Sequence, residues 1–400
     1  MSMKSVSNNI EVKIANAEKI YTVLRGSGGM TKSQLSHSVG LSFASVSNMC
    51  TTLEQAGLVK VQENVRSTGG RKAARVSFIA EHAFTLVIDL HHTQHAYLGL
   101  VDLTNRIQKI VRFEVEPRDQ LETILAKIQH SYAELVQGVG QKVLGVCVGI
   151  SAVHDPSTGI LLQSSNPVFE NVQLKRYISE IFPEKIVLVD NDANLAGMSQ
   201  MMHTAAIKKN LLFIFLTQGV GLGIMIDGKL YRGSNGFAGE LGHIKVSGVS
   251  KQCKCGGIGC LRTVATLESI AQDLNELDIL HGTGTSAEYA ASLAARYTGN
   301  DQRVIERVNL SAQKLGEVMA ELFDLFNPQE IVLGGNMSVL FPQLKQIMRD
   351  HCRRLSYLAT AVDLQIRYIE IPTYELVLSG GAERMFQYWL ETSFPKYPKP

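Results

Sequence analysis

The stretch GELGHIKVSGVSKQCKCGGIGCLR, from Gly239 to Arg262, contains three of the six cysteines in a chain of 400 residues. They are Cys253, Cys255 and Cys260, and His243 lies ten residues before the first of them. Three thiolates and one imidazole form a closed tetrahedral donor set for Zn²⁺, with no position left for a reactive water. The spacing H-x9-C-x-C-x4-C therefore predicts a structural zinc site.

The composition is that of an ordinary globular protein, with 45% hydrophobic and 19% charged residues. Six cysteines are too few for a disulfide scaffold. The polar N-terminus MSMKSVSNNIEVK lacks the apolar core of a signal peptide. No apolar run approaches the roughly 18 residues of a membrane span. We therefore expect a cytoplasmic protein of two or three domains with no membrane contact.

The charge of the chain is unevenly distributed. Residues 1–82 carry ten Lys and Arg against five Glu, a net charge of +5, whereas the remaining 29 basic and 32 acidic residues give −3. A basic segment ahead of a near-neutral body is typical of a module that binds a polyanion.

Three short helices are predicted in this basic segment. Ala15 to Arg25 has helical periodicity, and Thr31 with Gln34 forms a capping box that begins a second helix. Gly40 ends the second helix, and Ser42 can cap a third. The third helix has an inward apolar face of Val46, Met49 and Leu53. This arrangement predicts a helix-turn-helix.

Two strand candidates, Leu58–Val61 and Ala74–Ile79, follow and enclose Gly69-Gly70, which predicts a hairpin wing. The cations that flank the wing tip are Arg66, Arg71 and Lys72. The side chains expected to read bases from the third helix are Ser45, Asn48, Thr51 and Thr52. Residues 1–82 are thus predicted to be a winged helix-turn-helix that binds a double-stranded DNA operator. The alternative is a small helical domain used only for dimerisation or docking.

Strands alternate with helices from residue 83 onward, which predicts an α/β body. Buried-strand patterns occur in FTLVIDL (84–90), VLGVCVGI (143–150), LLFIFLT (211–217) and EIVLGG (330–335). A helical pattern over Leu121–Val136 separates the first two, and further helical patterns are centred on Leu267–Leu280 and Leu310–Phe326. The sequence therefore predicts a second domain over residues 83–400.

Four motifs together resemble the ROK family of repressors, open reading frames and sugar kinases. They are D-x-x-x-T at Asp89–Thr93, NDAN at Asn191–Asn194, GELGH at Gly239–His243 and CKCGGIGC at Cys253–Cys260. With the winged helix, the chain is similar to the xylose and N-acetylglucosamine repressors. The resemblance implies a two-lobed actin-like (ribonuclease H-like) sugar kinase fold and a homodimer or tetramer. The smaller lobe would span about 83–200 plus the C-terminal helix, and the larger zinc-containing lobe about 201–380.

The kinases of this family have two glycine-rich turns that approach ATP phosphates. The first reads D-x-G-G-T, but here Asp89–Thr93 has histidine at both glycine positions. The second reads G-T-G-x-G, but here Thr217–Gly221 lacks the first glycine and the threonine. Asp192 matches the base for the sugar hydroxyl. Because both phosphate turns are altered, we expect no kinase activity and no catalytic residue.

The resemblance also implies a monosaccharide site between the lobes, lined by Asn166, Asn191, Asp192, Glu240 and His243. Amides and carboxylates suit a polyol, since each buried polar group needs a partner. Alternatively, Asn191 and Asp192 cap the helix that starts near Ala193.

Arg262 occupies the position at which the family usually has a sugar-binding glutamate. An arginine supplies only hydrogen-bond donors and reverses the local charge. It could pair with Glu240 or Asp192, bind an anionic ligand such as a sugar phosphate or sugar acid, or turn to solvent.

The sequence as a whole predicts a homo-oligomeric transcriptional regulator, most simply a repressor of carbohydrate genes, with a sugar or sugar-derivative effector. Two alternatives stay open: an active sugar kinase that carries a DNA-binding module, and a regulator controlled by a protein partner with a vestigial sugar pocket.

Overall fold

The computed structural model describes residues 3–62, 74–139, 142–155, 158–201, 210–281, 286–360 and 362–396. The predicted wing tip, with Arg66, Arg71 and Lys72, lies outside the described residues. No helix in the described ranges is long and apolar enough to cross a membrane.

The N-terminal module contains three helices and a small antiparallel sheet of order β1-β3-β2. Its elements are α1 (Met3–Ser27), β1 (Met30–Thr31), α2 (Lys32–Val39), α3 (Phe43–Gln55), β2 (Val59–Gln62) and β3 (Arg75–Phe78). The helix α1 is longer than the predicted Ala15–Arg25. The helix-turn-helix and the two strands of the wing are confirmed.

Local capping sets the boundaries of the helix-turn-helix. The Thr31 side chain accepts from the Gln34 backbone N–H and the Gln34 side chain accepts from Thr31, which completes the predicted capping box. Gly40 ends α2 in the left-handed conformation, at φ 66°. Ser42 caps α3 by accepting from the Ser45 backbone N–H. Because these bonds are local, the sequence was sufficient to predict them.

A five-stranded sheet of order β10-β7-β4-β5-β6 forms the first lobe of the body. Its strands are β4 (Ala83–Asp89), β5 (His95–Asp102), β6 (Ile107–Glu114), β7 (Lys142–Ile150) and β10 (Ile186–Asn191), and a separate hairpin consists of β8 (Ala152–His154) and β9 (Leu161–Ser164). The associated helices are α4 (Leu121–Leu135), α5 (Leu174–Ile181) and α6 (Asp192–Gln200). β4, β7 and β10 are parallel, so their carboxyl ends lie at one edge of the sheet.

A second five-stranded sheet, of order β13-β12-β11-β14-β15, forms the other lobe. Its strands are β11 (Leu211–Leu216), β12 (Val220–Ile226), β13 (Lys229–Leu230), β14 (Glu330–Gly335) and β15 (Ile366–Tyr368). The remaining helices are α7 (Leu267–Leu274), α8 (Leu277–His281), α9 (Ser286–Thr298), α10 (Gln302–Phe326), α11 (Phe341–Leu355) and α12 (Thr373–Thr392). The helix predicted over 267–280 is divided into α7 and α8, because Asn275 adopts the left-handed conformation at φ 60°.

Two helices lie between the sheets and connect the lobes. α12 packs on the first sheet, α6 packs on the second, and the two helices pack against each other. At their crossing a Cβ on Gly380 would lie 1.7 Å from the Leu195 carbonyl oxygen, so only glycine fits. Arg232, from the second lobe, also forms a bidentate pair with buried Asp190, with Nη1 2.7 Å from Oδ1.

The far end of α12 enters the core of the N-terminal module. Its Phe386 ring stacks on Tyr21 of α1, with the ring centroids 4.2 Å apart. Leu390 of α12 and Phe394 just after it are buried in the same core. One helix therefore packs on the first sheet, on α6 and in the core of the N-terminal module.

Candidate functional site

The four predicted zinc donors lie close together, with ligand atoms all within 4.8 Å of one another. The Sγ atoms of Cys255 and Cys260 are 3.7 Å apart, and Cys253 Sγ is 3.8 Å from His243 Nδ1. Tetrahedral coordination with Zn–S bonds of about 2.3 Å requires Sγ–Sγ separations near 3.8 Å. The donors therefore fit a four-coordinate zinc ion, which would hold the loop together.

Lys245 is a neighbour of the thiols that sequence reasoning missed. Its Nζ donates to Cys260 Sγ at 2.8 Å. The backbones of Lys245 and Cys260 form an isolated antiparallel β-bridge, which positions the Lys245 amine beside the thiol. The bridge results from the fold of the loop, so no sequence motif indicates it. A cation at this point would offset the net negative charge of one Zn²⁺ with three thiolates.

A cleft of about 570 Å³ lies between the lobes. The residues predicted for the sugar site that line it are Asn191, Asp192, Glu240, His243 and Arg262. Asn166 is not among the described lining residues, and its side chain instead accepts from Val168 N–H to cap a short 3-10 turn. Its neighbour Ser165 does line the cleft, with a buried hydroxyl that has no partner among the described residues. Sequence reasoning missed Ser165, since a serine in SSN carries no distinguishing signal.

Asp192 is the first residue of α6 and is only 4% exposed. Burial raises the pKa of its carboxyl to about 6, although the charge of His91 opposes this. Burial, and then repulsion from Asp192, also raises the pKa of Glu240. Two carboxyls thus face the cleft, and their burial costs free energy. Hydroxyl donors from a bound polyol would reduce that cost.

Asn191 has the capping role that was the alternative to ligand binding. Its Oδ1 accepts from the backbone N–H groups of Ala193 and Asn194, at 2.9 and 3.3 Å. The amide Nδ2 points toward the Ala152 carbonyl oxygen at 3.5 Å. The side chain lines the cleft as well, so the cap and a ligand contact are compatible.

His243 lies at the end of a 3-10 turn, Leu241–His243, with Nδ1 toward Cys253. Nε2 therefore points away from that thiol, and the ring lines the cleft. Metal binding through Nδ1 would fix the tautomer and leave Nε2–H as a donor to a ligand.

Arg262 forms neither of the two ion pairs considered from the sequence. Its Nη2 donates to the Gln218 carbonyl oxygen at 3.2 Å, and the guanidinium lines the cleft. The Gln218 side chain in turn donates to Thr93 Oγ1 in the other lobe at 2.9 Å. Arg262 is therefore part of a hydrogen-bonded connection across the cleft, which no local motif indicates.

The two histidines of Asp89–Thr93 fill the first turn. Buried His91 binds Asp89 through Nδ1 at 2.6 Å; burial lowers the His91 pKa, but the charge and the hydrogen bond of Asp89, with the charge of Asp192, outweigh it and raise the pKa. His92 stacks on His91 with centroids 3.7 Å apart, and its Nε2 lies 3.1 Å from Thr373 Oγ1. Burial, and then the charge of His91, holds the His92 pKa well below its usual value.

Of the two glycines in the second turn, Gly221 has a packing explanation, whereas a Cβ on Gly219 would meet no described atom within 4 Å. A Cβ on Gly221 would lie 2.4 Å from the Ala193 Cβ of α6. A Cβ on Gly335 would lie 2.1 Å from the Leu216 carbonyl oxygen, and Gly335 has φ 122°. Helix and strand contacts therefore require glycine at both Gly221 and Gly335 without any nucleotide.

The predicted base-reading side chains lie on α3, where Ser45, Asn48 and Thr51 are exposed and Thr52 is half-buried. Ser45 Oγ lies 2.9 Å from Ser42 Oγ. Each threonine hydroxyl donates to the carbonyl four residues earlier, at 3.1 Å. Local bonds thus engage three of the four side chains.

The fold and cleft together define a two-lobed protein of sugar-kinase architecture that carries a helix-turn-helix module. The chain belongs to the ROK family, whose model matches residues 86–366.

Relatives in this family include both repressors and kinases. The xylose repressor of Caldicellulosiruptor bescii is 25% identical over 382 residues, covering 92% of this chain and 94% of its own. The glucokinase of Halalkalibacterium halodurans is 31% identical over 254 residues, covering 60% of this chain and 75% of its own. A solved ROK family transcriptional regulator, a homologue of the Escherichia coli MLC protein, has a TM-score of 0.77 at 21% identity, covering 96% and 99% of the two chains.

Proposed function

We propose that this protein is a homo-oligomeric, sugar-responsive repressor of carbohydrate genes that binds a palindromic operator through its winged helices. The observation that carries the proposal is the connection between cleft and module through α12. Thr373, at the start of α12, lies against His92 near the cleft, and Phe386 lies in the core of the module. A match to a xylose repressor over 92% of this chain supports the same function.

A buried ion pair strengthens the connection. Arg25 Nη1 of α1 donates to Glu383 Oε2 of α12 at 2.7 Å, and both side chains are less than a tenth exposed. Such a pair resists separation, because removal of one partner leaves an uncompensated buried charge. Movement of α12 would therefore move α1 with it.

An effector in the cleft would act through different affinities for two lobe arrangements. α6 and α12 pack between the sheets, so a change in the angle between the lobes would shift α12. That shift would change the separation of the two winged helices in a dimer, and hence the fit to two half-sites. Arg262 favours an anionic sugar derivative as the effector.

The loop from Gly239 to Arg262 would bind a structural zinc ion. The donors that would hold it are His243, Cys253, Cys255 and Cys260. We expect purified protein to contain one zinc per chain, and Cys253→Ala to lose it along with the ligand-induced thermal shift. Cys352→Ala, which removes a buried thiol outside the loop, is the control and should keep the zinc.

Kinase activity is the alternative function, because one relative of the chain is a glucokinase. The buried ring of His91 occupies the first turn, where phosphates need open backbone. We therefore propose that the cleft binds its sugar effector but does not catalyse phosphoryl transfer to it. Control by a protein partner has no specific support, since Arg262 forms no salt bridge across the cleft with the residues that the structure describes and donates instead to the Gln218 carbonyl oxygen.

The test is DNA binding to the protein's own upstream region, with and without candidate sugars, sugar phosphates and sugar acids. We expect a specific gel shift that one class of ligand weakens. Absence of any specific shift at modest salt would refute the repressor function, and ATP turnover with a sugar would support the kinase.

A further inference from the structure

An apolar side chain lies at the exposed N-terminal end of α3. Phe43 is the first residue of this helix and is 57% exposed. It is not among the side chains packed on the core of the module, and its ring contacts no aromatic ring of the described residues. Nothing in the fold of the described chain therefore requires an aromatic side chain here.

The surroundings of Phe43 suit a nucleic acid. Ser47, one turn later on the same side of α3, accepts from Lys32 Nζ at 3.0 Å. The ammonium group is thereby held at α3 one helical turn from Phe43, in a module whose net charge is +5. A cation next to an exposed ring is unsuited to a purely apolar partner and suited to a groove lined by phosphates.

The chemistry of the major groove limits what a phenyl ring can recognise. The N-terminal residues of a recognition helix are the ones that reach base edges. A phenyl ring has no hydrogen-bonding group, and the apolar feature that a base presents in the major groove is the C5 methyl of thymine. The hydroxyls of Ser45, Thr51 and Thr52 already have local partners, so α3 has few free polar readers apart from Asn48.

We propose that Phe43 is a specificity-determining residue of the DNA interface, packing against the C5 methyl group of a thymine in the major groove. The proposal rests on the proposed DNA-binding function. It adds thymine as a recognised base and Phe43 as a contact residue, whereas the sequence analysis considered only polar side chains of α3.

The experiment uses full-length, zinc-containing protein and selection from a pool of random DNA duplexes. Wild type, Phe43→Ala and Phe43→Leu are compared with Tyr357→Ala, which removes an aromatic side chain that is 84% exposed in the body. The enriched duplex is then remade with each thymine replaced in turn by deoxyuridine, which lacks only the methyl group. Affinities are measured by fluorescence anisotropy, and thermal melting checks that each variant is folded.

For wild type we expect deoxyuridine at one thymine of each half-site to weaken the affinity about fourfold, because burial of one methyl group contributes about that much to binding. Phe43→Ala should lose that sensitivity and the preference for thymine there, while Phe43→Leu and Tyr357→Ala keep both. Equal sensitivity in wild type and Phe43→Ala, or no sensitive thymine in wild type, would overturn the thymine contact. If wild type enriches no sequence at all, DNA binding itself fails, which is a distinct result.

Discussion

Arg262 faces the cleft with a guanidinium whose hydrogen bond within the described chain goes to a backbone carbonyl. We expect sugar phosphates or sugar acids to stabilise the wild type more than neutral sugars do, because a charge-assisted bond contributes about 1.5–3 kcal/mol. Arg262→Glu should lose at least about tenfold in affinity for the anionic ligand, whereas Arg262→Lys retains part of it. A thermal-shift screen measures this, and equal responses of wild type and Arg262→Glu would contradict it.

Asp192 gives the stability a defined pH dependence. Its folded-state pKa of about 6 lies above the ordinary value of 3.8, so the folded protein binds this proton more tightly than the unfolded chain does. Its contribution to stability is therefore complete below about pH 4 and is lost as pH rises through 6. The difference between wild type and Asp192→Asn should change by about 3 kcal/mol across that window.

Denaturant unfolding at a series of pH values measures the effect. Asp227→Asn is the control: Asp227 is exposed and already has a positive φ of 52°, which asparagine tolerates. A flat difference between wild type and Asp192→Asn from pH 4 to 7 would show that the carboxyl is not buried as described.

At the scale of single elements, the contact between α1 and α12 depends on a charge pair. Glu383→Ala should destabilise the protein by about 3–5 kcal/mol, because Arg25 is then a buried charge without its carboxylate. The exposed pair Arg176–Glu180 is the control, and Arg176→Ala should cost less than about 1 kcal/mol. Denaturant unfolding compares the two, and similar losses would show that the Arg25–Glu383 pair is solvated.

Turns and caps are the elements that could be predicted from the sequence. The Thr31–Gln34 capping box and the Gly40 end of α2 involve residues a few positions apart, so their physics is local. The division between α7 and α8 was not predicted, because nothing in the sequence distinguishes Asn275, which adopts the left-handed conformation, from an asparagine inside a helix. The exposure of Phe43 at the start of α3 was not predicted either, because an apolar residue is expected to be buried.

At the scale of the whole molecule, the N-terminal module is completed by the other end of the chain. Phe386, Leu390 and Phe394 are part of its core. A fragment of residues 1–82 would lose these side chains, each worth about 1.5–3 kcal/mol when buried. We expect this fragment to show no cooperative unfolding transition by circular dichroism. A sharp transition like that of the full chain would mean that residues 1–82 fold independently.

The sequence by itself determined the family, the α/β lobes, the helix-turn-helix and the close grouping of His243, Cys253, Cys255 and Cys260, because periodicity, caps and close spacing act over short stretches. It also indicated most of the cleft, through motifs that follow the strands. Only the tertiary structure decided that Arg262 bonds to Gln218, that Ser165 and not Asn166 lines the cleft, and that α12 completes the N-terminal core. These contacts join residues distant in the chain, and their partners are selected by packing, which no local pattern records.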